Sequence, residues 1–313
     1  MLVVSREDGR YFDDIFANFH RYVGPGDCLV LNNTKVFPAR LHGRRNTESG
    51  ARIEIFLLRA LDESETIWRA LVRPSKRLKP GDEVIFDHSL KAELLNQGDG
   101  GEWELRFYAT GQVSEILSCI GETPLPPYIR RAPGDRDRDR YQTVFAEKKG
   151  SVAAPTAGLH FTETMLQACK AAGAKIAYLT LHVGLGTFLP IRQKDVSEVQ
   201  LHEEHFEISE DQCAVMRSAK RLLCVGTTSV RTLETAMLRG GLKAMRGETN
   251  LFIYPGFHFH ATGAMLTNFH LPQSSLLMLV SAFAGRELTL AAYRHAVEER
   301  YRFFSYGDCM LIQ

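Results

Sequence analysis

Small and polar residues follow three apolar segments of the chain, at points where buried strands are expected to end. They occupy positions 32–35 (Asn-Asn-Thr-Lys), 182–188 (His-Val-Gly-Leu-Gly-Thr-Phe) and 226–229 (Gly-Thr-Thr-Ser). Ligands of α/β sheets bind at the loops after the carboxyl ends of the strands. The third loop opens a predicted helix, whose free backbone N–H groups and partial positive charge suit a carboxylate or a phosphate. Helix capping alone would use the same residues, so both interpretations stay open.

Histidines are the candidate acid–base groups, because imidazole exchanges protons most readily near neutral pH. His160 and His182 both lie in glycine-rich loops at predicted ends of elements, although a hydrogen-bonded structural role is the alternative. Further histidines lie at 202–205 (His-Glu-Glu-His) and 258–260 (His-Phe-His), and imidazole pairs also ligate zinc. Their spacing lacks the His-Glu-x-x-His arrangement, so we expect no metal site.

An arginine-rich stretch is the candidate contact for nucleic acid. Arg130, Arg131 and Arg140 belong to a segment in which arginines alternate with aspartates. Arginine binds RNA phosphates, but alternating charges also describe a solvated loop that neutralises itself. The 38 basic and 37 acidic residues leave a formal net charge of +1, so any RNA-binding surface has to be a local patch.

The composition excludes several classes of protein. The 313 residues are 44% hydrophobic and 24% charged, which excludes disorder, collagen-like repeats and coiled coil. No Gly-x-x-x-x-Gly-Lys-[Ser/Thr] is present and no Gly-x-Gly-x-x-Gly follows a strand, so we expect neither a nucleoside triphosphate nor a Rossmann-bound dinucleotide.

The expected absence of targeting signals and the usage of cysteine both favour a cytoplasmic protein. The six cysteines are scattered with no Cys-x-x-Cys pair, as in proteins with reduced thiols. The N-terminus turns charged at Arg6, and the most apolar run, 276–280, is far shorter than the ~20 residues that span a bilayer. We therefore expect no export and no membrane association.

The elements that must position these loops show two different patterns of apolar and polar residues. Apolar residues at helical spacing predict a helix over 12–23, and a turn at 24–27 then leads to a buried strand at 28–31. From about 41 to 107 the pattern changes to short alternating segments separated by turn signals, which predicts a small all-β unit that is barrel-like.

After the proline-rich segment at 124–127 the pattern becomes α/β. We predict a helix over 162–172, a strand over 174–183, and a strand over 222–225 that leads into a second helix. The expected fold class is thus α/β, with a main α/β domain of residues 1–40 and 125–313 and an inserted β-barrel-like domain of residues 41–124.

Long blocks of the sequence match the signatures of one family. Together they resemble the S-adenosylmethionine:tRNA ribosyltransferase-isomerases of bacterial queuosine biosynthesis, in the same order and over nearly the whole chain. The blocks lie at 27–40, 124–128, 141–145, 150–161, 181–188, 225–234, 252–257, 266–272 and 301–308.

The resemblance implies a reaction in which S-adenosylmethionine donates its ribosyl group rather than its methyl group. The acceptor is the 7-aminomethyl-7-deazaguanine base at the wobble position of tRNA, adenine and methionine leave, and the product is epoxyqueuosine-tRNA. The resemblance also implies an α/β main domain with an inserted β-barrel, and neither a metal nor a cofactor, since S-adenosylmethionine is consumed as a substrate. The expected partners are tRNA and S-adenosylmethionine, and we expect a monomer.

Two departures from the family keep other functions open. Family members carry a few tens of residues before the counterpart of Met1, and a histidine where this chain has Val199. A tRNA-binding protein that lacks catalysis because of a shortened N-terminus is therefore the alternative. A metal-dependent hydrolase built on the paired histidines is the third hypothesis.

The implied chemistry assigns expected roles to the candidate residues. A proton must leave from beside the sulfonium, adenine must be expelled, and water must be excluded. We expect His160 or His182 to be the base. A helix N-terminus with a guanidinium traps anions, so the methionine carboxylate or a tRNA phosphate is expected at Thr228, Ser229 and Arg231.

The remaining candidates are expected to bind the substrates. Aromatic rings attract a sulfonium and stack on adenine, which we expect of Tyr254 and Phe257 unless they only pack in the core. Hydrogen bonds to the acceptor base or the tRNA are expected from Asn32, Asn33 and Arg40, although Asn-Asn-Thr also shapes turns. A loop that lines the same sheltered pocket is expected to contain Asn268 and His270.

Overall fold

A computed structural model describes residues 1–87, 89–126, 128–129, 131, 133–184, 193 and 195–313, without the side chains of residues 135 and 197. Its contacts divide the chain into two units. One comprises Met1–Lys35 and Gln142–Gln313, and the other comprises Val36–Tyr141. The predicted insertion of residues 41–124 falls within the second range, and its bounds stay a prediction.

The strands in chain order are β1 (Leu2–Ser5), β2 (Arg10–Asp13), β3 (Asp27–Asn32), β4 (Thr34–Val36), β5 (Arg40–Arg45), β6 (Arg52–Ala60), β7 (Ile67–Arg73), β8 (Glu83–Ile85), β9 (Lys91–Gln97), β10 (Glu102–Tyr108), β11 (Lys148–Ser151), β12 (Lys175–Leu181), β13 (Glu204–Ile208), β14 (Arg221–Val225), β15 (Met245–Thr249), β16 (Thr262–Asn268) and β17 (Cys309–Ile312). The α-helices are α1 (Val113–Ile120), α2 (Asp135–Arg140), α3 (Glu163–Ala171), α4 (Glu210–Arg217), α5 (Thr227–Leu238), α6 (Ser275–Ala284) and α7 (Arg286–Glu298). Two short 3₁₀ helices, Phe16–Tyr22 and Thr156–His160, also matter below.

The first unit is built on a nine-stranded mixed sheet in the order β15-β13-β12-β3-β14-β16-β17-β1-β2. Its centre is parallel, because β3 pairs in parallel with β12 and β14, and β14 pairs in parallel with β16. Strands covered on both faces are expected to be apolar throughout, and β3 shows this: Cys28 and Val30 pack in one core, whereas Leu29 and Leu31 pack in the other. The carboxyl ends of β12, β3, β14 and β16 therefore meet at one edge.

The second unit contains a closed antiparallel barrel in the order β10-β7-β6-β5-β8-β9. Side chains alternate along each strand as a barrel requires. On β10, Trp103, Leu105 and Phe107 are buried, whereas Arg106 and Tyr108 are exposed. The α/β fold class with an inserted barrel is thereby confirmed.

The helix predicted over 12–23 is wrong in its first part. β2 occupies Arg10–Asp13 and pairs antiparallel with β1, and a 3₁₀ helix follows at Phe16–Tyr22. Phe12 and Ile15 are 50% and 61% exposed, so their helical spacing does not mark a core-facing stripe. Backbone pairing at the sheet edge decides the local structure instead.

No single helix in the described part of the chain has the length and apolarity that spanning a membrane requires. α6 and α7 satisfy those criteria of length and composition only as a pair, which is bent by 115°.

Candidate active site at the carboxyl edge of the sheet

Most of the predicted residues of the first unit lie where β12, β3, β14 and β16 end. Neighbouring strands of a sheet lie about 4.8 Å apart, so four strands span roughly 15 Å, which is the scale of one extended ligand. Asn32 bonds the first three of these ends together, and a backbone hydrogen bond from Gly226 to Leu266 joins the end of β14 to β16, as described below.

His182 follows β12, and its Nδ1 lies 2.8 Å from the hydroxyl of Thr34 at the start of β4. Gly150 of β11 lies against the ring, because a Cβ atom built there would come 2.7 to 2.8 Å from the imidazole atoms. Burial lowers the pKa of His182 to about 4, an effect that His205 reinforces and Glu207 opposes. The imidazole is therefore neutral at pH 7, and when Nδ1 donates to Thr34, Nε2 carries a lone pair that can accept a proton.

Asn32 connects β3, β12 and α5 by hydrogen bonds from both the nitrogen and the oxygen of its side-chain amide. Its Nδ2 donates to the backbone oxygen of Leu181 at 3.0 Å and to the hydroxyl of Thr228 at 3.3 Å. Its Oδ1 accepts from the backbone N–H groups of Leu181 at 3.0 Å and Thr34 at 3.1 Å. These bonds fix the ends of β3 and β12 against the start of α5, which places His182 and Thr228 in one network.

Asn33 is also bonded within the protein. Its Nδ2 donates to Glu147 Oε2 at 3.0 Å, and its Oδ1 accepts from the Thr180 hydroxyl at 2.7 Å. Glu147 in turn lines a cavity of about 320 Å³. The other residues that line this cavity are Val144, Phe145, Glu163, Leu166, Gln167, Lys170 and Tyr178.

The N-terminus of α5 lies at the end of β14. Gly226 has a φ of +88°, which favours glycine, and its N–H donates to the backbone oxygen of Leu266 on β16. The Ser229 hydroxyl donates to the backbone oxygen of Val225 at 2.8 Å. A Cβ atom at Gly226 would lie 3.7 Å from Cβ of Ala157, so the 3₁₀ helix Thr156–His160 approaches this N-terminus.

Arg231 and Glu204 form an ion pair in which each side chain is only about 5% exposed. Arg231 Nε also donates to the backbone oxygen of Leu251 at 3.0 Å, and Glu204 Oε1 accepts from the Gly184 N–H at 3.0 Å. Among the residues that the structure describes, Nη2 of Arg231 is buried without a hydrogen-bond partner. The charge of this guanidinium is thus balanced locally, while one donor group stays available.

His160 pairs with Asn268 at the end of β16. Asn268 Nδ2 donates to the backbone oxygen of Phe304 at 3.1 Å and lies 3.3 Å from His160 Nε2. Because an amide nitrogen only donates, Nε2 accepts and the ring proton resides on Nδ1. Burial lowers the pKa of His160 to about 4. Asn268 is 3% exposed, and its Oδ1 has no partner within the described residues.

Three predicted binding residues, His270, Phe257 and Tyr254, have described surroundings that do not include the other site residues. His270 is partly buried with Nε2 at 2.8 Å from the Thr267 hydroxyl, and burial lowers its pKa to about 4. Phe257 packs edge-on against Phe259 next to the core. Tyr254 is 41% exposed. The described contacts do not connect these three side chains to His182 or His160, and a role for them in binding stays a prediction.

Four predicted residues belong to the other unit or lie outside the description. Arg40 lies 3.7 Å from Glu54 in the barrel. Arg131 contacts Asp137 at 2.5 and 2.7 Å, and this guanidinium lowers the pKa of the Asp137 carboxyl to about 2. Arg140 is exposed at the end of α2. Arg130 lies outside the described residues.

The paired histidines do not assemble into a cluster. Within the described ranges, no group of three or more His, Cys, Asp or Glu side chains could hold a metal ion. The histidines at 202, 205, 258 and 260 are all exposed. Whether the protein uses a cofactor stays a prediction.

Sequence reasoning missed four side chains that hold the site in place: Thr34, Glu147, Glu204 and Glu234. Glu234 is fully buried and accepts from the backbone N–H groups of residues 260, 261 and 262. Glu204 was part of the His-Glu-Glu-His motif, and Glu234 closes the block at 225–234. A buried carboxylate in an otherwise apolar or small-residue block is the signal that points to such anchors.

Comparisons with known proteins agree on one family. The family model described as "Queuosine biosynthesis protein" matches residues 1–312. The chain is 54% identical to the S-adenosylmethionine:tRNA ribosyltransferase-isomerase of Solibacter usitatus and 48% identical to that of a Thermoanaerobacter species, covering 100% of this chain and 92% of each relative. A crystal structure of S-adenosylmethionine tRNA ribosyltransferase from Thermotoga maritima is similar with a TM-score of 0.55 at 37% identity, over 100% of this chain and 91% of that one.

Proposed function

This chain belongs to the S-adenosylmethionine:tRNA ribosyltransferase-isomerases of queuosine biosynthesis, and from that premise we propose the full reaction that it catalyses. It transfers and isomerises the ribosyl moiety of S-adenosylmethionine onto the 7-aminomethyl-7-deazaguanine wobble base of tRNA. The products are epoxyqueuosine-tRNA, adenine and methionine. The neutral, partly buried His182 at the carboxyl edge of the sheet, held by Thr34, is the observation that carries this proposal.

His182 is the base in this proposal. Its pKa of about 4 keeps the ring unprotonated at neutral pH, and the Thr34 hydroxyl fixes the orientation of the ring. His160 is the weaker candidate because its Nε2 already accepts from Asn268 and its Nδ1 carries the proton. A base of low pKa abstracts a proton effectively only where the carbon acid is activated, and a neighbouring sulfonium supplies that activation.

The α5 N-terminus and Arg231 serve the methionine carboxylate. The first backbone N–H groups of a helix have no acceptor within the helix, and Arg231 keeps one buried donor without a partner among the described residues. Because Glu204 already balances the charge of Arg231, this guanidinium supplies a directed N–H rather than a net positive charge. Thr228 and Ser229 contribute through the backbone in this proposal, since their hydroxyls are bonded within the protein.

The other predicted contacts complete the proposal. Asn268 and His160 line the far side of the site, and Asn32 and Asn33 hold its centre through their bonds to neighbouring loops. Contacts to adenine or the sulfonium are assigned to Tyr254 and Phe257, whereas His270 supports the loop after β16. Binding of RNA is assigned to Arg40, Arg130, Arg131 and Arg140.

Incubation with S-adenosylmethionine and wobble-modified tRNA, followed by mass spectrometry of the tRNA nucleosides, tests the reaction. We expect a new nucleoside with the mass of epoxyqueuosine and one equivalent of free adenine. Binding of tRNA without release of adenine would instead favour the non-catalytic alternative, and free adenine without a new nucleoside would contradict transfer.

The same assay tests the base. We expect His182→Ala to slow product formation by roughly 10²- to 10⁴-fold, the usual contribution of a positioned general base. His258→Ala is the matched control, since it removes an exposed histidine that has no assigned role. A His182→Ala protein with unchanged turnover would remove this residue from the mechanism.

A further inference from the structure

Exposed basic side chains concentrate at one end of the barrel. Strand register brings them together: Arg44 lies opposite Arg52 across β5 and β6, and Arg73 lies opposite Glu54 across β6 and β7. The loop from β7 to β8 begins at the same end and adds three more. This barrel patch consists of Arg44, Arg52, Arg73, Lys76, Arg77 and Lys79, all of which are exposed.

The patch comprises the ends of β5, β6 and β7 and the loop from β7 to β8. Direct bonds join the β5–β6 hairpin, the first loop at this end, to the β7–β8 loop, the second. Arg45 Nη2 contacts both carboxylate oxygens of Asp82, at 2.8 and 2.7 Å. Asn46 donates from its backbone N–H to the backbone oxygen of Glu83 at 2.8 Å. Leu78 is buried in the second loop and anchors it to the barrel. The exposed cations therefore project from one fixed surface.

The six cations of the patch are unpaired within the described part of the chain, apart from a bond from Arg44 to the backbone oxygen of Gly50. In the same unit, Arg69 and Lys91 pair with carboxylates. The acidic residues at this end are Asp82 and Glu83, which pair with Arg45 and Lys91, and Glu48, Asp99 and Glu102. Six cations against the last three acids leave the patch a positive excess.

The loop after β6, at the opposite end of the barrel, is acidic. Asp62, Glu63 and Glu65 lie in the loop after β6, whereas the patch surrounds the start of β6. A strand of nine residues spans about 30 Å, so the two charge groups are well separated.

We propose that the barrel patch binds the phosphate backbone of the tRNA substrate. The inference rests on the proposed function, which makes RNA a substrate, and it adds which surface holds that RNA. Exposed, unpaired lysines and arginines bind phosphates by releasing condensed counterions, without reading the sequence. Their long side chains adapt to an irregular RNA surface, whereas the fixed backbone of the two loops keeps the charges together.

The arginines near α2, which the proposed function also assigns to RNA, are more strongly neutralised within the protein than the patch. Arg131 is held by Asp137, Arg138 donates to the backbone oxygen of Ser118 at 2.8 Å, and Asp139 follows in the same helix. An approaching phosphate would meet carboxylates as well as guanidinium groups there. The patch has six exposed cations around three acidic residues, whereas residues 130–140 contain five arginines interleaved with three aspartates.

Salt dependence of tRNA binding tests the proposal. The patch variant Arg73→Gln/Arg77→Gln and the matched variant Arg106→Gln/Arg136→Gln each remove two exposed arginines from the same unit, so both change the net charge equally. Affinity for tRNA would be measured by fluorescence anisotropy between about 50 and 200 mM salt. Removal of two phosphate contacts should lower the slope of log K against log salt by about 1.4 to 1.8.

We expect this loss of slope, and a fall in affinity of roughly tenfold or more near 0.1 M salt, only in the patch variant. The additional variant Lys76→Gln/Lys79→Gln should lower the slope by a similar amount. All these side chains are exposed, so the melting temperatures should match that of the wild type. Equal losses in the patch and matched variants, or no loss in the patch variants, would overturn the proposal.

The outcomes separate this inference from the proposed function. A wild-type protein that binds tRNA through the patch but releases no adenine would contradict the reaction and support the patch. A protein that modifies tRNA while both patch variants bind it like the wild type would support the reaction and contradict the patch. A wild-type protein with no affinity for tRNA would contradict both.

Discussion

The carboxyl edge of the sheet and the barrel patch treat charge in opposite ways. At the sheet edge, the charged pair Arg231 and Glu204 is withdrawn from water and bonded on several sides, and burial keeps His182 neutral. In the barrel patch, the cations are exposed and have no carboxylate partner within the described residues. The two regions use the same residue types in different solvent environments.

The difference in solvent exposure corresponds to two functions, catalysis at the sheet edge and binding of RNA at the patch. Electrostatic interactions at a reacting centre are stronger and better directed where water is excluded and the groups are fixed. Binding of an RNA backbone requires many weak, adaptable contacts that gain free energy by releasing counterions. Substitutions at the sheet edge should therefore change stability and chemistry, whereas substitutions in the patch should change affinity for RNA alone.

The largest expected effect on stability comes from the buried ion pair. Arg231→Leu leaves Glu204 buried without its partner, and such losses cost about 3–5 kcal/mol. Arg77→Leu removes the same side chain from the patch and should change the free energy of unfolding by less than about 0.5 kcal/mol. Urea denaturation measures both. Similar values for the two variants would break the comparison between the regions.

Acid should destabilise the sheet edge before it affects the carboxylates. The pKa of the partly buried His270 falls from 6.5 to about 4 because burial disfavours the charged ring. The unfolded chain then binds more protons than the folded chain between these pH values, so stability decreases as the pH falls from 6.5 to 4, by at most about 3 kcal/mol for one histidine. Asp62 and Asp137, with pKa values of about 2, lose their contribution only below pH 4.

Unfolding of the wild type and of His270→Gln at a series of pH values measures this effect. We expect the variant to lose less stability than the wild type between pH 6.5 and 4, because glutamine does not titrate. Parallel curves for the two proteins would show that His270 is not buried in its neutral form.

A smaller effect is expected at Gly150. Its φ of +143° and its contact with the His182 ring leave no room for a side chain, so Gly150→Ala should displace the imidazole. Strain of this kind costs of order 1–3 kcal/mol, and we expect turnover to fall by roughly ten- to a hundredfold. Gly111→Ala is the control, because no atom lies within 4 Å of the added Cβ there. Equal turnover of the two variants would show that the position of His182 tolerates movement.

The sequence predicted those elements whose local pattern and burial agree. Strands predicted over 28–31, 174–183 and 222–225 correspond to β3, β12 and β14, because continuous apolar runs occur where a parallel sheet is covered on both faces. The alternation that predicted the barrel is confirmed in β10. The prediction failed at β2, where edge pairing with β1 outweighs the apolar spacing of Phe12 and Ile15.

The position of the candidate site could also be predicted from the sequence, but the hydrogen-bond partners of its residues could not. Loops after parallel strands had to meet at one edge, whatever their side chains contacted. By contrast, the bond between Thr34 and His182 joins residues 148 positions apart, and the bond between Asn32 and Thr228 joins residues 196 positions apart. Such long-range pairs depend on tertiary packing, which no local pattern encodes. Similarly, strand register on the barrel adds Arg44 and Arg52 to the basic run at 76–79, a combination that the sequence does not show.

Single-turnover release of adenine, measured against the concentration of wobble-modified tRNA at saturating S-adenosylmethionine, tests the division of work most directly. For His182→Ala we predict a plateau rate lower by at least about a hundredfold, with the half-saturating tRNA concentration within a few-fold of the wild type. For Arg73→Gln/Arg77→Gln we predict a half-saturating concentration raised by about tenfold or more. A patch variant that lowers the plateau like His182→Ala, or a His182→Ala protein altered only in half-saturation, would contradict the assignment of chemistry to the sheet edge and of RNA binding to the barrel.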